Sequence, residues 1–271
     1  MTIELAPQNK HSLTLASLLL AGSGAVGYAD AWPPGVTAAM FGALVTLPVS
    51  WRPRRGQPPG RLAEMPAGFI LAAGDHNPGF RRVMDDHALD WRRLPTPIIM
   101  ALAEGAPDDW DRIGASLEDE PGVAGLELHL PQVCHRSDAA AWIAAVRRAS
   151  TLPLLVKLPT ARAVALAATC VSAGADALVV GASPLADGVT SDGVTIAGSV
   201  AGPVAFSFML HALRAVAELN LGLPLVAAGG ICRINDVELC LAAGAAAVQL
   251  RSLLWVDPAA AVALAAGLAG R

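Results

Sequence analysis

Leu225-Val226-Ala227-Ala228-Gly229-Gly230-Ile231 is an apolar run of strand length that breaks on two glycines. Its first four residues show no polar alternation, which marks a strand buried on both faces, as in a parallel sheet. The glycines permit a turn whose backbone N–H groups approach an anion with no β-carbon in the way. Working outward, seven more runs of this kind recur: Leu13–Leu20, Gly42–Leu47, Pro97–Leu102, Gly125–Leu130, Leu154–Leu158, Ala177–Gly181 and Ala246–Leu250, with Leu223–Ala228 the seventh of the eight in order.

Most of the gaps carry helical periodicity with start and stop signals. Ser137 and Asp138 cap a helix through Trp142, Ile143 and Val146, whose last turn, Arg147-Arg148, suits the negative end of the dipole. A helix through Val164, Leu166 and Ala168 ends at Ala173-Gly174-Ala175, and Asn235-Asp236 opens another that Gly244 terminates. Strands alternating with helices imply parallel pairing, and eight such units close a barrel. The expected architecture is an α/β fold, a (β/α)8 TIM barrel, as one domain over residues 1–271 with long mouth loops at 48–76 and 183–203. Both loops leave the carboxyl end of a strand, the face where such barrels carry their sites. An open doubly wound sheet is disfavoured because no G-x-G-x-x-G follows the first strand.

The 271 residues are 54% hydrophobic and 15% charged, with a net charge of −4, which argues against a nucleic-acid partner. Arg52, Arg54 and Arg55 lie among prolines and read as a solvated loop. Cys134, Cys170, Cys232 and Cys240 show neither paired nor metal-like spacing, so free thiols in a reducing cytoplasm are expected, with no metal site. Leu13–Gly27 has the small, apolar character of a signal peptide. It is too short to span a membrane and supplies the first strand, so no membrane partner is expected.

By this count Gly229-Gly230 follows strand seven and Arg251-Ser252 follows strand eight, where barrels often hold phosphate. A glycine pair alone is a tight turn; its position makes phosphate binding the stronger reading. Lys157, between Val156 and Leu158, either faces the barrel interior or is a snorkelling or ion-paired strand-end lysine. Asp75, His76 and His135 fall on mouth loops, with Asp75 read as a helix cap.

Several short stretches, in order along nearly the whole chain, resemble the dihydroorotate dehydrogenase family. They include Leu20-Ala21-Gly22-Ser23-Gly24, Gly42-Ala43-Leu44-Val45-Thr46, Pro58 to Phe69, Asn77-Pro78-Gly79, Leu155-Val156-Lys157-Leu158, Gly198 to Pro203, Gly229-Gly230-Ile231 and Ala247-Val248-Gln249. The resemblance implies flavin mononucleotide (FMN) at the barrel mouth. Ala21, Gly22 and Ser23 would lie beneath the flavin, and Gly229, Gly230 and Ser252 would hold its phosphate; Arg251, by its own place after strand eight, could add charge there. Lys157 would reach the N1–O2 edge of the ring, and Gly202 would sit against the ring system.

The departures concentrate in the chemistry. Leu47 stands where the family carries a lysine, and Leu71 and Gly181 or Ala182 stand where it carries asparagines. His129-Leu130-Pro131-Gln132 replaces a longer Asn-x-Ser-Cys-Pro-Asn, and Arg251 replaces a glycine. A substrate pocket with Leu71, His129 and Gln132 has lost the amides that select orotate, so a substrate other than dihydroorotate is expected. The proton-transfer group is Cys134 or His129. Three functions fit these residues. One is an FMN-dependent oxidoreductase acting on a small CH–CH, carbonyl or enone-like substrate. The second is a flavin-free pseudoenzyme or subunit of an assembly, and the third a phosphometabolite enzyme using Lys157 as a Schiff base. The expected partners are the small-molecule substrate and either a second copy of the chain or an electron-transfer subunit.

Overall fold

The computed structural model describes residues 2–269. Eight parallel strands close a barrel: β1 Leu19–Ala21, β2 Ala43–Val45, β3 Ile98–Leu102, β4 Val123–His129, β5 Leu154–Pro159, β6 Ala177–Ala182, β7 Leu225–Ala228 and β8 Ala245–Leu250. Each pairs with its neighbour in chain order, and β8 returns to β1. Outside them lie α1 Phe80–Trp91, α2 Pro107–Leu117, α3 Arg136–Ala149, α4 Ala163–Ser172, α5 Ala205–Ala217, α6 Ile234–Ala242, α7 Ser252–Val256 and α8 Pro258–Ala269. The β1–β2 connection carries only a 3-10 turn, Ala38–Met40. No helix among the described residues is long and apolar enough to cross a membrane.

Period-two alternation divides the strand residues between two cores. Leu20, Val45, Ile99, Leu155, Val179 and Val226 fill the barrel, while Leu44, Met100, Leu128, Val156 and Leu178 pack outward against helices. The amino-terminal end of the barrel is plugged by Leu5, Leu13 and Leu15, around a hairpin of Ile3–Glu4 with Thr14–Leu15.

That hairpin corrects one expectation. Leu13–Leu20 is not a single strand: Thr14–Leu15 pairs with Ile3–Glu4, and only Leu19–Ala21 enters the barrel. The break falls at Ser17, whose hydroxyl accepts the Leu19 N–H at 3.2 Å. The helix starts also move slightly. Asp138 accepts the N–H of His135, so α3 begins at Arg136. Asp75 caps nothing; α1 starts at Phe80, and Asn77 Oδ1 accepts the Gly79 N–H at 3.0 Å.

A larger difference lies at the mouth. The connections read as loops meet in a four-stranded antiparallel sheet, ordered Leu185–Val189, Thr195–Ala201, Gly68–Leu71 and Leu62–Met65. Here glycine permits close approach of backbones rather than a turn. A β-carbon on Gly68 would lie 2.2 Å from the Ala201 carbonyl oxygen, and one on Gly198 would lie 2.6 Å from the Leu71 backbone. Ala63, Ile70, Val200 and Ala205 form the small core beneath this sheet.

Candidate functional site

A cavity of about 450 Å3 opens at the carboxyl ends of the barrel strands, roofed by the antiparallel sheet at Leu71, Ser199 and Val200. Its floor is polar because three inward-facing strand positions, His129, Lys157 and Gln249, carry polar side chains, with a fourth, Glu127, buried beneath them. His129 and Lys157 are register partners on β4 and β5; Glu127 precedes His129 by two residues on the same face, and Gln249 enters from β8, across the barrel. Lys157 Nζ donates to Gln249 Oε1 at 2.9 Å and lies 3.3 Å from Glu127 Oε1. His129 Nε2 is 2.7 Å from Glu127 Oε1, and Gln249 Nε2 donates to Glu127 Oε2.

Burial alone would raise the Glu127 carboxyl, but Lys157, His129 and Gln249 outweigh it and hold it at about 2. Burial pulls the Lys157 ammonium down from its usual range; Glu127 opposes that shift and Arg251 adds to it. An ammonium has three N–H donors, and two are used here, so one remains for an occupant of the cavity.

The other end of the cavity is lined with unused donors. Gly229 and Gly230 turn at φ +133° and +71°. Among the described residues, neither N–H makes a hydrogen bond, and neither does the Ser252 hydroxyl. The Arg251 guanidinium also lacks a hydrogen bond or salt bridge there; it rests 5.0 Å from the centre of the Trp255 ring, a cation–π contact. The Trp255 indole is fixed by its Nε1–H donating to the Ala25 carbonyl at 3.0 Å. Donors with no hydrogen-bonded acceptor, beside an arginine that the Asp75 carboxylate also attracts, form a cradle whose chemistry suits an anion.

Most of the expected site residues meet in this cavity: Gly22, Ser23, Leu71, His129, Gln132 and Lys157, together with Gly202, Gly229, Gly230, Arg251 and Ser252. Gln132 donates to the Ser183 carbonyl at 2.7 Å, tying the β4 loop to the end of β6. Ala21 is buried in β1 and does not line the cavity. Cys134 does not reach it either: its thiol is buried in the outer core, donates to the His135 carbonyl and is pushed up by that burial. Gly202 lines the cavity, but its missing side chain is explained by the protein itself, since a β-carbon there would lie 2.7 Å from Gly68 Cα. Sequence reasoning passed over Glu127, Gln249 and Trp255. A carboxylate enclosed by Leu126 and Leu128 in a buried strand was the available signal, since buried acids require partners.

The family model described as dihydroorotate dehydrogenase matches residues 8–271. The catalytic subunit of dihydroorotate dehydrogenase B (NAD(+)) from Desulforudis audaxviator is 34% identical over 94% of this chain and 89% of its own length. The protein of the same description from Pelobacter propionicus is 30% identical over 99% and 92%. A solved structure, DHODH in complex with ferulenol from Eimeria tenella, superposes with a TM-score of 0.77 over 99% of this chain and 83% of that one. At 14% identity this is a likeness of fold.

Proposed function

Since the chain belongs to the dihydroorotate dehydrogenase family, we propose that it is an FMN-dependent oxidoreductase that oxidises or reduces a small CH–CH substrate other than dihydroorotate. The observation that carries this reading is the arrangement of one cavity, with unpaired donors at Gly229, Gly230, Arg251 and Ser252 at one end and the spare N–H of Lys157 on its floor. The cavity volume is within the roughly 300–1,000 Å3 usual for cofactor and small-molecule sites. Gly229, Gly230, Ser252 and Arg251 would hold the phosphate, and Lys157 would face the flavin ring as a positive charge. FMN supplies a two-electron acceptor for hydride.

The chain's own part is to position the substrate and move its proton. Glu127 accepts from His129 Nε2, so in the neutral ring Nδ1 is the unprotonated nitrogen, the assignment following from that hydrogen bond. His129 is therefore our candidate proton acceptor from a substrate carbon. Leu71 and the sheet above it keep water from the reacting face, and Gln132, committed to Ser183, holds the β4 loop in place. Four free cysteines support a reducing, cytoplasmic setting.

Dihydroorotate itself is the second reading, favoured by relatives of that description matching 94–99% of the chain. Their description as catalytic subunits supports a separate electron-transfer subunit as partner. Anaerobic mixing of the FMN-loaded protein with dihydroorotate separates the readings. On our reading the flavin absorbance persists; bleaching within seconds would establish dihydroorotate as the donor.

A further inference from the structure

Neither the cofactor cradle nor the proton acceptor gives Glu127 a role of its own, yet the cavity floor is organised around it. It is wholly buried in β4, where an isolated carboxylate is strongly penalised and persists only with partners. Lys157 at 3.3 Å, His129 at 2.7 Å and Gln249 all direct donors at it. A carboxyl group accepting from three donors is ionised, because protonation would turn one of its oxygens into a donor. An ammonium on Lys157, 3.3 Å away, balances the charge of this buried carboxylate.

We propose that Glu127 is a positioning residue that holds Lys157 as an ammonium and fixes His129 in the tautomer with Nδ1 unprotonated. Lys157 then acts on the cavity's occupant as a fixed positive charge and not as an amine nucleophile. A Schiff-base role is disfavoured, because the amine must be neutral to attack a carbonyl. The inference rests on the oxidoreductase reading only in naming a flavin ring as that occupant.

The chain contains two lysines, Lys10 and Lys157, so protein labelled with [15N]lysine gives two Nζ signals and Lys10 serves as the internal control. In the wild type without added ligand, Lys157 Nζ should show the ammonium shift at pH 7. In Glu127→Gln its titration midpoint should fall by a unit or more, raising the neutral fraction about tenfold per unit, and Glu127→Asp should restore most of it. An amine shift in the wild type at pH 7, or equal midpoints in wild type and Glu127→Gln, would overturn the proposal. If Glu127→Gln does not fold, the wild-type shift decides alone. Failure of the protein to bind FMN would end the oxidoreductase reading and leave this test intact.

Discussion

Gly230 sits against the first turn of α5 so closely that a β-carbon there would lie 2.2 Å from the Phe206 nitrogen. That contact and the positive φ of +71° together demand glycine at the turn after β7. Gly230→Ala should therefore lose on the order of 3 kcal/mol, from strain at positive φ and displacement of Phe206. Urea unfolding checks this, and a variant as stable as the wild type would contradict it. Gly229 has no contact inside 3.7 Å, so space does not demand glycine there; its φ of +133° does.

Arg251 offers the cradle its one guanidinium. A charge-assisted bond to phosphate contributes about 1.5–3 kcal/mol, or roughly 10- to 100-fold in affinity. Arg251→Ala should weaken FMN by that factor while leaving riboflavin, which lacks the phosphate, within about twofold. Equilibrium dialysis with both flavins measures the difference; equal losses would place Arg251 against the ring instead.

His129 and Cys134 make opposite predictions. With 2-cyclohexen-1-one oxidising the reduced, FMN-loaded protein, the reaction runs in reverse and the His129 ring, protonated at Nδ1, returns the proton. His129→Ala should therefore slow reoxidation at least about 100-fold, the usual contribution of a positioned acid or base. Cys134→Ala should change it less than about twofold, because the thiol does not line the cavity. A loss confined to the cysteine variant would reverse the assignment.

Acid sensitivity follows from Glu127. Its folded value of about 2 lies below the ordinary 4.5, so the stabilisation is complete above the latter and is lost as pH falls towards 2. The effect is on the order of 3 kcal/mol. Glu118, held at about 2 chiefly by Thr151, acts in the same window. Denaturant midpoints at pH 5 and pH 2.5 should differ less in Glu127→Gln than in the wild type.

The barrel was legible because its strands are continuous apolar runs, and strand seven ending in Gly229-Gly230 is the clearest of them. The mouth sheet was hidden because Gly68 and Gly198 look like loop glycines until their neighbours are known. The meeting of Gly229, Gly230, Arg251 and Ser252 at one cavity was legible from the order of strands seven and eight. Glu127 and Gln249 were not, since each is one polar residue in an apolar strand and their meeting depends on β4 and β8 facing across the closed barrel. Cys134 was misplaced because a loop position gives no side-chain direction.

FMN binding by the unpaired donors together with Lys157 is what every functional step above depends on. Equilibrium titration of purified, flavin-stripped protein with FMN tests it most directly. Saturation at one FMN per chain is expected, with a resolved visible spectrum that Arg251→Ala and Gly230→Ala weaken. Wild-type protein that remains colourless and unsaturated at millimolar FMN would contradict it.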